Sequence, residues 1–181
     1  MKTRMRVTGG TYRGRRVACP PGAIRPAMDR MRESVFAILG DLSGKSFLDL
    51  FSGSGIIGIE AASRGASEIT FVEKERRKME VLKLNTSFVE EQMRFFCVPV
   101  ERFLAANRRG FDLVFADPPF DYRNKRTILE IADRTHTIEA GGSLLIHFPS
   151  EDRLPETVGR LDMYDCREYG RSIVGFYTID G

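Results

Sequence analysis

Five short apolar runs, near residues 46–51, 68–73, 94–98, 111–116 and 142–148, alternate with helical stretches near 55–64, 75–88, 100–108 and 124–135. That alternation constrains the fold of this chain more than any other feature. Strands that take turns with helices cannot be joined by hairpins, so they form a parallel sheet with helices on both faces, a doubly wound α/β architecture of Rossmann-like type. The C-terminal part breaks the pattern, because Leu161 to Glu168 and Ser172 to Ile179 flank Tyr169-Gly170-Arg171 as a hairpin and give the sheet an antiparallel end. Ahead of the sheet, Met5 to Thr8 and Arg15 to Ala18 read as two short strands around Gly9-Gly10 and Gly14. Cys19-Pro20-Pro21-Gly22 then interrupts regular structure. From Pro26, the helical spacing of Met28, Met31, Val35, Phe36 and Leu39 predicts a helix that ends at Gly40. The expected division is a hairpin and helix extension over residues 1–40 and a catalytic domain over 41–181.

The first strand runs into Asp49-Leu50-Phe51-Ser52-Gly53-Ser54-Gly55-Ile56-Ile57-Gly58. Gly53, Gly55 and Gly58 satisfy Gly-x-Gly-x-x-Gly, and Glu73 closes the second strand 20 residues after Gly53, where an acid that holds a ribose belongs. On pattern alone a nicotinamide oxidoreductase fits. Asp49 argues against it, since a carboxylate beside the glycine loop repels a pyrophosphate. S-adenosylmethionine suits the loop better: it has no phosphate, and it carries a sulfonium and an ammonium as well as a ribose diol. The cofactor set is Asp49, Phe51, Gly53, Ser54, Gly55 and Glu73.

Asp117-Pro118-Pro119-Phe120 follows the apolar run 111–116 and so falls at a strand's carboxyl end, where such sheets bind ligands. Two prolines fix φ and remove N–H donors, which leaves carbonyls as acceptors beside a carboxylate and an aromatic ring. That set suits a flat ligand bearing an amino group. A nucleobase would give its two amino hydrogens to Asp117 and the Pro118 carbonyl and stack on Phe120. The catalytic set is Asp117, Pro118, Pro119 and Phe120.

Charge is uneven along the chain. Residues 1–32 carry +8 and the remainder −5. A basic arm on a mildly acidic body is the footprint of a nucleic-acid surface, and eight of the arm's nine basic side chains are Arg, which pairs bidentately with phosphate. Arg6, Tyr12, Arg13, Arg15, Arg16, Arg25, Arg30 and Arg32 are the candidate RNA contacts, with Arg123, Lys125 and Arg126 as a secondary group beyond Phe120. Cys19, Cys97 and Cys166 are odd in number and far apart, which argues against a disulfide framework and a zinc site. His136 and His147 share no nucleophile spacing with Ser or Cys and read as a helix-end and a strand residue. No apolar run approaches the roughly 20 residues a membrane span needs, and the expectation is a cytoplasmic protein.

The chain resembles a known family, the bacterial small-subunit (16S) rRNA guanine-N2 methyltransferases, often called methyltransferase D. The resemblance rests on Arg6 to Arg15, on Arg25-Pro26-Ala27-Met28-Asp29-Arg30-Met31-Arg32-Glu33, on the Asp49 to Gly58 loop and on Asp117 to Phe120. It implies methyl transfer from S-adenosylmethionine to a guanine amino group in small-subunit rRNA, on a partly assembled subunit, by a monomer without a metal. Three positions depart from the family: Ala27 and Met28 replace hydroxyl residues, Pro99-Val100 stands where an acid or amide contacts adenine, and Phe148-Pro149 replaces an often acidic segment. Glu101 is the candidate substitute for the missing acid. An adenine-N6 methyltransferase of DNA or RNA would use the same Asp-Pro-Pro-aromatic chemistry. A non-catalytic RNA-binding module is the other alternative.

Overall fold

The computed structural model describes residues 4–19 and 27–179. Arg25, the Pro20-Pro21-Gly22 break and Pro26 lie outside the described residues, as do the side chains of Ala27 and Met28.

Strands β1 (Arg4–Arg6) and β2 (Arg16–Ala18) pair antiparallel and precede α1 (Ala27–Leu39). Then follow β3 (Ser46–Leu50), α2 (Ile56–Ser63), β4 (Glu68–Val72), α3 (Arg76–Asn85), β5 (Gln92–Phe96), α4 (Val100–Ala106), β6 (Phe111–Ala116) and α5 (Lys125–Arg134). The chain ends with β7 (Ile138–Pro149), β8 (Thr157–Val158), β9 (Leu161–Tyr169) and β10 (Ser172–Ile179). The large sheet has the order β5-β4-β3-β6-β7-β10-β9-β8. The first five of these strands are parallel and the last three antiparallel, as the alternation and the C-terminal hairpin predict. β7 begins before its apolar run, at Ile138, and its register with β6 shifts opposite Phe111–Leu113, between Ile138 and Ser143. The short β8 carries no apolar run of its own and is not foreseen by periodicity.

Adjacent residues of each strand face opposite sides, and both sides are covered. Phe47, Phe71, Phe115 and Phe176 pack with α1, α2 and α3, whereas Leu48, Val72, Val114 and Tyr177 pack with α4 and α5. Gly58 permits the closest of these contacts: a Cβ there would lie 2.3 Å from the Phe71 ring.

The N-terminal extension belongs to the same core. Met5, Val7, Val17, Met31, Val35 and Phe36 are buried in the cluster that contains Phe47 and Phe71. Gly10, with φ 75°, brings the hairpin against the end of α2, where Thr11 N donates to Ser63 O at 2.7 Å. A side chain there would collide with that carbonyl at 1.6 Å. Asn85 braces the other side, bonding both backbone groups of Ala18 and the carbonyl of Ser54. The hairpin is therefore docked on the sheet domain and shares its core.

Candidate functional site

The order of strands reverses between β3 and β6: β4 and β5 lie to one side and β7 to the other. Crossovers leave in opposite directions there, which opens a crevice at the strands' carboxyl ends. Leu50 pairs with Ala116, so the glycine loop and Asp117 leave the sheet side by side. A cavity of about 620 Å³ occupies that crevice, lined by Phe51, Gly53, Glu73, Pro99, Val100, Glu101, Asp117, Pro118, Pro119, Phe120 and His147 among others. Its size is that of a small-ligand pocket.

Glu73 is 6% exposed, and both of its oxygens are held by backbone: Oε2 accepts from Gly53 N at 3.0 Å and Oε1 from Glu75 N at 2.9 Å. A carboxylate has about four acceptor sites. Two remain for a diol, in an orientation already fixed. Phe51 adopts φ 60°, a left-handed conformation uncommon for a large side chain, and its ring meets Tyr122 edge-on at 5.2 Å. Such backbone strain persists where surroundings over-determine it, often at ligand sites. The Tyr122 hydroxyl donates to Glu101, and burial together with that carboxylate pushes the phenol well above its ordinary range.

Asp49, Ser54 and Gly55 lie behind the cavity wall. Asp49 is 1% exposed and its Oδ2 accepts from Gly58 N at 3.1 Å, so it organises the loop from beneath. Its carboxyl is raised well above the usual range, first by burial and then by the nearby charges of Asp117 and Glu73. Ser54 Oγ accepts from Ile56 N, and Gly55, with φ 79°, begins α2.

Asp117 opens the loop after β6. Its Oδ1 lies 2.7 Å from Nδ1 of His147, which stands on β7 and was not foreseen as a site residue. The Phe120 and His147 rings meet edge-on at 5.3 Å. Sequence places the two partners 30 residues apart, but adjacency of β6 and β7, with Ala116 beside Ile146, makes their next residues neighbours. Lys125 also departs from expectation. It is 3% exposed and donates to Phe120 O, Tyr122 O and Asp152, so it clamps the loop and is not available to a substrate backbone.

Among the candidate RNA contacts, Arg6, Arg13, Arg15, Arg16 and Arg30 are exposed. Arg32 needs correction: it is 1% exposed, it donates to Arg6 O and Asp29, and its Nε lies 3.5 Å from buried Glu60. Tyr12 is corrected too, because its hydroxyl donates to Glu91 and accepts from Glu90 N while its ring packs on Phe88. Arg123 and Arg126 are exposed and, with Arg153, border a second cavity that shares Phe120 and Tyr122 with the first. Among the described residues there is no His, Cys, Asp and Glu group suited to a metal, and no helix is long and apolar enough to cross a membrane.

The profile of a family described as "Conserved hypothetical protein 95" matches residues 5–178. The chain is 35% identical over 184 residues to "Putative rRNA methyltransferase YlbH" of Bacillus subtilis, covering 98% of this chain and 100% of that one. It is 35% identical over 155 residues to "Ribosomal RNA small subunit methyltransferase D" of Escherichia coli, covering 81% of this chain and 75% of the relative. A solved structure, "Putative methyltransferase yhhF from Escherichia coli", superposes with a TM-score of 0.89 at 28% identity over 98% of this chain and 99% of that one.

Proposed function

The chain belongs to the conserved hypothetical protein 95 family, and from that premise we propose that it transfers a methyl group from S-adenosylmethionine to the exocyclic N2 of a guanine in small-subunit rRNA. One observation carries the reading: a single cavity joins a pre-oriented ribose acceptor, Glu73, to the acceptor loop Asp117-Pro118-Pro119-Phe120. Glu73 and Asp117 lie close enough to the buried Asp49 for their charges to help raise its carboxyl. That field favours a cationic ligand over a pyrophosphate.

S-adenosylmethionine supplies an electrophilic methyl group on a sulfonium whose leaving group departs neutral. Glu73, oriented by the Gly53 N–H, would hold the ribose end. Pro99 and Val100 present apolar surface where an adenine contact is expected, and Glu101 is anchored on Tyr122 beside them. Asp117 and the Pro118 carbonyl accept the two hydrogens of the target amino group, which turns its lone pair toward the methyl carbon. When the N–C bond forms, the nitrogen becomes cationic, and Asp117 stabilises that charge until one proton leaves to the carboxylate or to water. Phe120 stacks on the base and offsets the neighbours it loses outside its own stack.

The reading extends to the partner. Exposed Arg6, Arg13, Arg15, Arg16 and Arg30 on one side, and Arg123, Arg126 and Arg153 beside Phe120, receive the rRNA backbone, in the cytoplasm, on a partly assembled subunit, with the enzyme as a monomer. Incubation with labelled S-adenosylmethionine and either small-subunit rRNA or genomic DNA tests it. Label in DNA alone, or methylated adenine in the RNA digest, overturns it.

Glu73→Ala removes a charged acceptor from the ribose site and is expected to weaken S-adenosylmethionine binding by about 1–3 kcal/mol in calorimetry. Unchanged affinity sinks the assignment of Glu73.

If about five arginines neutralise phosphates, the log of the RNA binding constant falls against log salt with a slope of about −3 to −4. Deleting residues 1–22 is not a clean test, because it strips Met5, Val7 and Val17 from the core. Arg13→Gln with Arg16→Gln leaves the core intact and should flatten the slope by about 1.4. A slope identical to wild type in filter-binding titrations would place the RNA surface elsewhere.

A further inference from the structure

β6 and β7 run parallel and adjacent, so Asp117 and His147 emerge together at their carboxyl ends. The Nδ1···Oδ1 contact is 2.7 Å, His147 is 2% exposed, and its Nε2 is buried with no hydrogen-bond partner. An ionised carboxylate can only accept, so the hydrogen of this bond is on Nδ1. With Nε2 engaging nothing, the imidazole has one polar function in the fold, which is to donate to Asp117. A buried polar atom left without a partner is costly, and such costs are tolerated where the group is held for a task. Asp117 itself follows the last residue of β6, with its side chain about a quarter exposed, and Oδ1 is the oxygen that His147 takes. Without that bond the carboxylate is free to rotate against the target amine.

We propose that His147 is a positioning residue for methyl transfer: its Nδ1–H fixes Oδ1 of Asp117 and leaves Oδ2 aimed at the target amino group. The inference rests on the functional reading above and goes beyond it, because the motif Asp-Pro-Pro-Phe contains no such orienting group. The same ring stands edge-on to Phe120, so it braces the stacking surface and the acceptor together. Methyl transfer depends steeply on where the lone pair points, and an acceptor that must hold the amine within about 0.5 Å requires support from a second residue.

The test separates donation from packing. His147→Phe keeps a flat ring against Phe120 and removes the donor, whereas His147→Asn returns an amide N–H near the position of Nδ1. The Phe variant is expected to lose about 10-fold or more in kcat, with RNA KM and S-adenosylmethionine affinity within about threefold of wild type. The Asn variant should regain most of that loss. In an Asp117→Ala background the Phe change should cost little more, because the acceptor it orients has gone. Wild-type kcat in His147→Phe, or a loss that is undiminished in the Asp117→Ala background and not rescued by Asn at 147, overturns the inference. Nitrogen-15 spectra of wild-type protein offer a readout that needs no variant: a proton on His147 Nδ1 is expected, and its absence overturns the inference. Active wild type with an unaffected Phe variant sinks the inference alone, whereas a wild type that methylates no rRNA sinks the functional reading and the inference with it.

Discussion

Asp117→Asn lowers turnover by about 10²-fold or more while S-adenosylmethionine affinity stays within about twofold of wild type. The amide preserves volume and an oxygen that can accept from His147, so the loop after β6 keeps its anchor, and Lys125 still holds the carbonyls of Phe120 and Tyr122. What disappears is the negative charge opposite an amino nitrogen that becomes cationic as the methyl group arrives. Glu73, the residue proposed to hold the cofactor's ribose, keeps its two backbone hydrogen bonds without Asp117. Single-turnover rates and equilibrium binding, measured on the same preparation, decide the matter. A parallel fall in both quantities would make Asp117 a support for the pocket and would take the chemistry away from it.

The parts of this site that sequence makes legible are those written within one loop. Asp117 to Phe120 are consecutive, and Asp49, Gly53 and Glu73 stand at intervals fixed by strand, turn and helix, so a strand–helix alternation is enough to bring them to one edge of the sheet. His147 is invisible by that route. It joins Asp117 only once β7 is known to lie beside β6 in the register that sets Ile146 against Ala116. Lys125 shows the opposite failure: among Arg123, Asn124 and Arg126 it looks like part of a basic helix start, yet the fold turns it inward onto three acceptors. Arg32 falls outside the apolar stripe of α1 and reads as exposed, because periodicity describes one buried face. The β1–β2 hairpin covers a second face, with Arg6 O accepting from Arg32 and Glu60 waiting on α2. A charge count treats that arginine like Arg13 or Arg16, although its role is structural.

Glu60 is the residue on which that second layer depends, and Glu60→Gln should destabilise the protein by about 3–5 kcal/mol, the cost of breaking a buried ion pair on one side only. The side chain is fully buried. Oε1 accepts from Thr8 N at 2.7 Å and stands 3.5 Å from Arg32 Nε, while Oε2 is bound by Arg64. Arg64 in turn donates to Thr8 Oγ1 at 3.0 Å and covers the Phe36 ring at 4.8 Å. A glutamine keeps the shape but leaves Arg32, 1% exposed and with Nε and Nη1 making no hydrogen bond, without its internal counter-charge. Urea denaturation should show the midpoint shift with little change in slope, since the surface exposed on unfolding is nearly the same. Removing Arg13 or Arg16, which are exposed, should move stability by no more than about 0.5 kcal/mol. The contrast separates the role proposed for the surface arginines of the basic extension, which is to act on RNA, from that of Arg32, which is to hold the fold. If Glu60→Gln unfolds at the wild-type midpoint, the hairpin is not anchored through this carboxylate, and the apolar contacts of Met5, Val7 and Val17 hold it together with Ser63 and Asn85.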